Sequence, residues 1–72
     1  MNERNITGKK IKSIRLCKKI TQEQLAARLH VQGLNMDRTN ISRIERQSRE
    51  LYDYEVKAIA NALNVNIDDL FK

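Results

Sequence analysis

The chain has 72 residues, room for one small domain, and a chain of this size buries only about 60% of its unfolded surface, so its core must be well used. It has no proline, two glycines (Gly8 and Gly33) and one cysteine, Cys17, which excludes an internal disulfide framework; with no long apolar run and no signal-peptide core, the expectation is a cytoplasmic protein without a membrane span. The net charge of +5 is unevenly placed: residues 1–49 carry twelve Lys/Arg against four Asp/Glu, whereas residues 50–72 carry two against five. That asymmetry suits a polyanionic partner for the first part of the chain, although a solvated basic surface leaves the same signature.

One device recurs along the sequence: an apolar residue, a capping residue, and a second apolar residue four positions after the cap, together a hydrophobic staple. It predicts a first helix over 7–18, with Thr7 as cap between Ile6 and Ile11. Ile11 and Ile14 share its inner face, with Cys17 as a small buried residue on the edge. A second helix is predicted over 21–32, where Thr21 stands between Ile20 and Leu25 and Gln24 completes a capping box. Leu25, Ala26 and Leu29 form its apolar face. Gly33 is placed to stop this helix through its tolerance of positive φ, with Leu34 and Met36 following as an apolar plug.

A third helix over 37–47 begins at Asp37, with Met36 and Ile41 as its staple and Ile41 and Ile44 as its buried pair. A fourth, over 53–63, has Leu51 and Val56 as staple but Tyr52 at the cap. Tyrosine cannot bend back to bond the first amides, so either Asp53 caps instead or the start is weak. Val56, Ile59, Ala60 and Leu63 give its inner face, and Asn64 stands where a left-handed residue ends a helix. A fifth helix, over 66–71, begins at Asn66 between Val65 and Leu70. Helices this short need one another's apolar faces.

The segment Thr21-Gln22-Glu23-Gln24-Leu25-Ala26, followed by Thr39-Asn40-Ile41-Ser42-Arg43-Ile44-Glu45, resembles the Cro/C1-type helix-turn-helix family of phage and bacterial repressors. The stretch from Ala58 to Val65, with Ile67-Asp68-Asp69-Leu70-Phe71 behind it, looks like the last two helices of the same family. The likeness runs from Ile11 to Phe71. It implies an all-α fold, a compact five-helix lambda-repressor-like domain over 1–72, with the helix-turn-helix at 21–47 and the third helix in the major groove. The family's base-reading positions fall on Arg38, Thr39 and Arg43, with Ser42 beside them. Arginine's planar fork suits guanine, and threonine can bond a base edge or set its methyl against thymine.

The resemblance implies a second set for phosphate. Gln22 sits in the first turn of the second helix, where free amides and the helix dipole attract an anion. Asn40, Arg46, Gln47, Ser48 and Arg49 flank the groove, and Lys18 and Lys19 precede the second helix. Such contacts fix register without carrying sequence information. Arg15 and Glu45 occupy positions that commonly form an ion pair in this family, tying the first helix to the end of the third. The chain departs from the family in three places. The stretch from Leu29 to Asp37 is several residues longer than the usual turn and brings Gln32 or Asn35 toward the DNA backbone; Tyr52 stands at a cap; Gln47 replaces a frequent glycine.

Against an enzyme, His30 is the only histidine and is expected at the surface, Cys17 has no base in the pattern, and there is no Gly-rich phosphate loop. One His and one Cys do not make a metal site, so neither metal nor cofactor is expected. The rival is a protein-interaction module on the same scaffold, antitoxin-like or anti-repressor, because Tyr52, Tyr54 and Phe71 all lie in the acidic last third. Packing into a small core is the commoner use of such residues. The series Arg38, Arg43, Arg46 and Arg49 favours DNA, and polar groups at the reading positions argue against purely nonspecific binding. The expectation is a transcriptional regulator, a repressor, bound as a homodimer to a double-stranded DNA operator with two half-sites about one turn apart.

Overall fold

The structure is a computed structural model, and it describes residues 5–72. Four α-helices follow in order: α1 (Gly8–Cys17), α2 (Gln22–Val31), α3 (Arg38–Glu45) and α4 (Asp53–Leu63), closed by a 3-10 helix at Ile67–Phe71. The helices pack around one core in which Ile11, Leu25, Leu29, Met36, Ile41, Ile44, Ile59, Leu63 and Leu70 are almost fully buried. The apolar spacing therefore does what the sequence predicts of it. α2 lies against both α3 and α4, and α1 packs against α3, α4 and the closing 3-10 helix. Among the described residues no helix is long and apolar enough to cross a membrane.

Local chemistry sets most of the boundaries. The Gln24 N–H donates to Thr21 Oγ1 at 3.0 Å and the Thr21 N–H donates to Gln24 Oε1 at 2.9 Å, so the capping box at the start of α2 is complete. Asp37 Oδ1 accepts from the Asn40 N–H at 2.9 Å and starts α3. Gly33 ends the α2 turn at φ +84°, and Asn64 ends α4 at φ +59° with the Val65 N–H returning to the Ala60 carbonyl. Met36 is buried and Leu34 half-buried, so the long α2–α3 turn is plugged rather than loose.

Three expectations are corrected. Thr7 makes no side-chain cap bond, and Ile6 is 75% exposed, so no staple forms at the start of α1. Tertiary contacts hold that end instead: Asn5 Nδ2 donates to the carbonyls of Ile44 and Arg49, at 3.2 and 2.8 Å. Cys17 is exposed, because the fully buried stripe of α1 runs through Gly8, Ile11 and Arg15; Ile14 is half-buried against the core and Cys17 lies past its edge. At α4 Tyr52 makes no side-chain cap bond, as expected; Asp53 Oδ1 accepts from the Tyr54 N–H at 2.7 Å, and the Glu55 carboxylate reaches back to the Tyr52 N–H at 3.0 Å. The fifth helix is a five-residue 3-10 helix. Only Leu70 anchors it in the core, too little for a full α-helical nucleus.

Candidate nucleic-acid interface

α3 divides cleanly around its circumference. Ile41, Ile44 and Glu45 are buried, which turns Arg38, Thr39 and Arg43 to solvent and leaves Asn40 and Ser42 half-exposed. Arg38, Ser42 and Arg46 follow at intervals of four along one ridge of the helix. Together with Thr39 and with Gln22 from the start of α2 they line a cleft of about 290 Å³. The side chains of Arg38, Thr39, Arg43 and Arg46 have no hydrogen-bond or ion-pair partner among the described residues, so their donors stand ready for a ligand.

A wider groove of about 710 Å³ adjoins this cleft through Gln22 and Arg38 and continues past Thr21, Lys19 and Lys12. Two helix starts meet here: α2 begins with Gln22, and α3 with Arg38. Backbone amides at a helix N-terminus and flanking cations suit phosphate oxygens. Lys12 joins this groove although its spacing in the first helix gives no sign of it.

The remaining residues expected at the site divide differently. Lys18 lies apart, in a hollow with Lys10, Ile14, Cys17, Val65 and Lys72, so it does not share the groove of Lys19. Gln47 takes φ +62° and its Nε2 donates to the Asn5 carbonyl at 3.1 Å. Ser48 Oγ donates to the Arg43 carbonyl at 3.2 Å. Arg49 places Nη1 and Nη2 on the two Glu55 carboxylate oxygens at 3.1 and 3.0 Å. Gln32 turns to α4, where Nε2 donates to the Ala58 carbonyl, and Asn35 lines a small hollow with His30. These engagements follow from where the acidic and carbonyl partners fall in space, which spacing along the chain does not reveal.

Beneath the exposed face of α3 lies the Arg15–Glu45 pair. Arg15 Nε donates to Glu45 Oε2 at 2.6 Å and Nη2 to Oε1 at 3.1 Å, while Nη1 bonds the Ile20 carbonyl at 2.8 Å. The side chains are 8% and 2% exposed. The fork therefore holds α1, the entry to α2 and the end of α3 together. At Glu55 burial works to raise the carboxyl, but the bonds from Arg49 and from the Tyr52 N–H, with the Arg49 charge, outweigh it and hold the group below the ordinary carboxylate range.

Residues the sequence did not single out cluster at the far end of α3. Asn5 is buried, and a Cβ on Gly8 would collide with the Ile44 carbonyl oxygen and lie 2.8 Å from Asn5 Oδ1. The aromatics behave opposite to small-core packing: Tyr52, Tyr54 and Phe71 are 56%, 59% and 54% exposed, and the two tyrosines stack with centroids 5.8 Å apart.

Comparison with known proteins accords with this geometry. A helix-turn-helix family model matches residues 11–70. No curated protein matches the chain by sequence. Among solved structures, the restriction-modification controller protein C.AhdI from Aeromonas hydrophila superposes with a TM-score of 0.79 at 29% sequence identity, over 90% of this chain and 87% of that one.

Proposed function

The chain belongs to the Cro/C1-type helix-turn-helix family and is a DNA-binding transcriptional regulator, and from that premise we propose that it is a repressor that binds duplex DNA as a symmetric homodimer. The observation that carries the reading is the cleft where Arg38, Thr39, Ser42 and Arg46 of α3 meet Gln22 of α2 with the arginine forks unpaired. In this reading α3 enters the major groove with Arg38 and Thr39 on base edges, and Ser42 and Arg43 one turn further along. Phosphate is met by the first amides of α2 and by Lys19, with Asn40 and Arg46 at the rim. Gln47 and Arg49 serve first as braces, through the Asn5 carbonyl and the Glu55 carboxylate.

C.AhdI is a restriction-modification controller protein, which supports a role in control of gene expression here. The exposed, stacked Tyr52–Tyr54 pair and exposed Phe71 offer apolar surface for a second copy. The reading involves no catalytic step: Cys17 and His30 lie in separate hollows.

Fluorescence anisotropy on a panel of duplexes, across a salt series, tests the division of labour. Arg38→Ala should lower binding to a preferred duplex by about 1–3 kcal/mol and relax the preference. Lys19→Ala should weaken all duplexes alike and reduce the salt slope by about one. Absence of binding to any duplex at low salt would remove the repressor reading and favour the protein-interaction module.

A further inference from the structure

The Gln22 side chain at the mouth of the cleft is not free to turn. Its Nε2 donates to Glu45 Oε1 at 3.1 Å, the same oxygen that accepts from Arg15 Nη2. A carboxylate oxygen can only accept, so the chemistry of Glu45 decides which end of the carboxamide faces it: the nitrogen is turned inward. One N–H and the carboxamide oxygen of Gln22 are left open to a ligand. Glu45 itself is nearly sealed, with its side chain 2% exposed and its other oxygen fixed by Arg15 Nε at 2.6 Å. A buried carboxylate that cannot reorient therefore grips a half-exposed residue that lines the same cleft as Arg38, Thr39 and Ser42.

We infer that Glu45 is a positioning residue for DNA binding, acting through Gln22 as well as bracing the fold through Arg15. The inference rests on the DNA-reading role assigned to the cleft. Free glutamine samples many rotamers, and ordering it on binding costs side-chain entropy. Gln22 meets DNA already ordered, its polarity set by a group that never touches DNA. The Arg15–Glu45 pair thus joins the buried core to the affinity of the reading face.

A purely structural brace and a positioning residue differ in one measurable respect, the dependence of the Gln22 contribution on Glu45. In Arg15→Met/Glu45→Leu the buried pair is replaced by apolar side chains of similar size, an exchange that often preserves stability. Gln22→Ala in the native background should weaken binding to the preferred duplex about tenfold, the loss of one good hydrogen bond. In the Arg15→Met/Glu45→Leu background the same substitution should cost no more than about twofold, because the carboxamide is no longer held. Equal losses in the two backgrounds would overturn the proposal.

A second measurement needs no substitution. In the free protein one Gln22 side-chain amide proton should be shifted downfield and protected from solvent exchange by NMR, and both protons behaving like those of free glutamine would overturn the proposal even if the double variant fails to fold. If the amide signature is present but the native protein binds no duplex, the DNA reading falls and takes the positioning role with it, an outcome distinct from loss of the Gln22–Glu45 bond.

Discussion

The N-terminal end of α3 and its C-terminal end draw on similar polar residues and put them to opposite uses. At the first end, Arg38 and Thr39 stand exposed, and among the described residues the side-chain bond there is the Asp37 cap on the Asn40 N–H. At the other, Glu45 is gripped by Arg15, the Ile44 carbonyl is gripped by Asn5, Gln47 reaches back to Asn5, and Arg49 is closed onto Glu55. An arginine beside an acid in a low-dielectric pocket is a strut; an arginine with no acid in reach is available to phosphate or guanine. The helix α3 is held at one end and leaves Arg38 and Thr39 at its other end unpartnered among the described residues, as the proposed docking on DNA requires. Its rigidity comes from contacts lying between residues 5–15 and 44–49, distant in sequence and adjacent in space.

If that contrast is right, substitutions at the held end should cost stability and substitutions at the open end should not. The largest effect belongs to Glu45→Ala, which strands the Arg15 guanidinium in the interior. It should destabilise the fold by about 3–5 kcal/mol, a large share of the total for a small domain, as read by urea denaturation. Arg38→Ala should change stability by less than about 0.5 kcal/mol in the same assay. Similar losses for the two variants would erase the distinction between the ends.

Gly8→Ala comes next. The added methyl meets the backbone carbonyl of Ile44, which no side-chain rotation relieves. Displacing α1 from the end of α3 should cost about 1–3 kcal/mol in thermal unfolding. A stable Gly8→Ala protein with unchanged melting would mean that the approach of α1 to α3 is slack and that Asn5 does not fix it.

The Arg49–Glu55 pair sharpens the comparison through pH. Because Glu55 titrates lower in the fold than in the unfolded chain, the folded state binds that proton less readily. The stabilisation is therefore present above the ordinary carboxylate range and is lost as pH falls through the lower folded value. Arg49→Ala should cost about 1–2 kcal/mol near neutrality, between an exposed pair and a buried one. Melting followed from neutral pH to below about pH 4 should show a steeper loss for the native protein than for Glu55→Gln. Superimposable profiles would mean that this strut carries no net energy.

The same contrast explains what could be read in the sequence. The core was legible because Leu25, Leu29, Ile41, Ile44, Ile59 and Leu63 repeat at helical spacing, and the starts of α2 and α3 were legible because Thr21 and Asp37 cap within their own turn. The start of α1 misleads. Ile6 and Thr7 copy the same local pattern, yet the residues that hold that end, Asn5 and Gly8, answer to α3, some forty positions away. The exposure of Arg38, Thr39 and Arg43 at the open end was legible from motif positions alone, since exposed residues need no partner. The held end was legible only at Arg15–Glu45, where the family pattern stands in for distance. Glu55 as the partner of Arg49, and Glu45 as that of Gln22, depend on the path of the loop and the angle between helices. Cys17 shows the same limit on one helix: spacing puts it at the edge of the inner face beside Ile14, which does pack against the core, but Arg15, drawn inward by Glu45, takes the buried place and Cys17 is exposed.

The smallest predicted effect separates local strain from the role of a side chain. Lys19 and Gln47 both follow helix ends, at φ +59° and +62°, where L-residues are disfavoured. Glycine would relieve that strain at either position, less the entropy it loses on folding. Lys19 belongs to the open side and its side chain is exposed, so Lys19→Gly should raise stability by about 0.5 kcal/mol and lower the salt slope of DNA binding by about one. Gln47 belongs to the held end, and Gln47→Gly would relieve the same strain but remove the bond from Nε2 to the Asn5 carbonyl. Its net effect on melting should be near zero or unfavourable, because a lost part-buried hydrogen bond is worth about 0.5–1.5 kcal/mol. Equal stabilisation by the two glycines would show that Gln47 contributes only its backbone, and that Asn5 holds α3 without it.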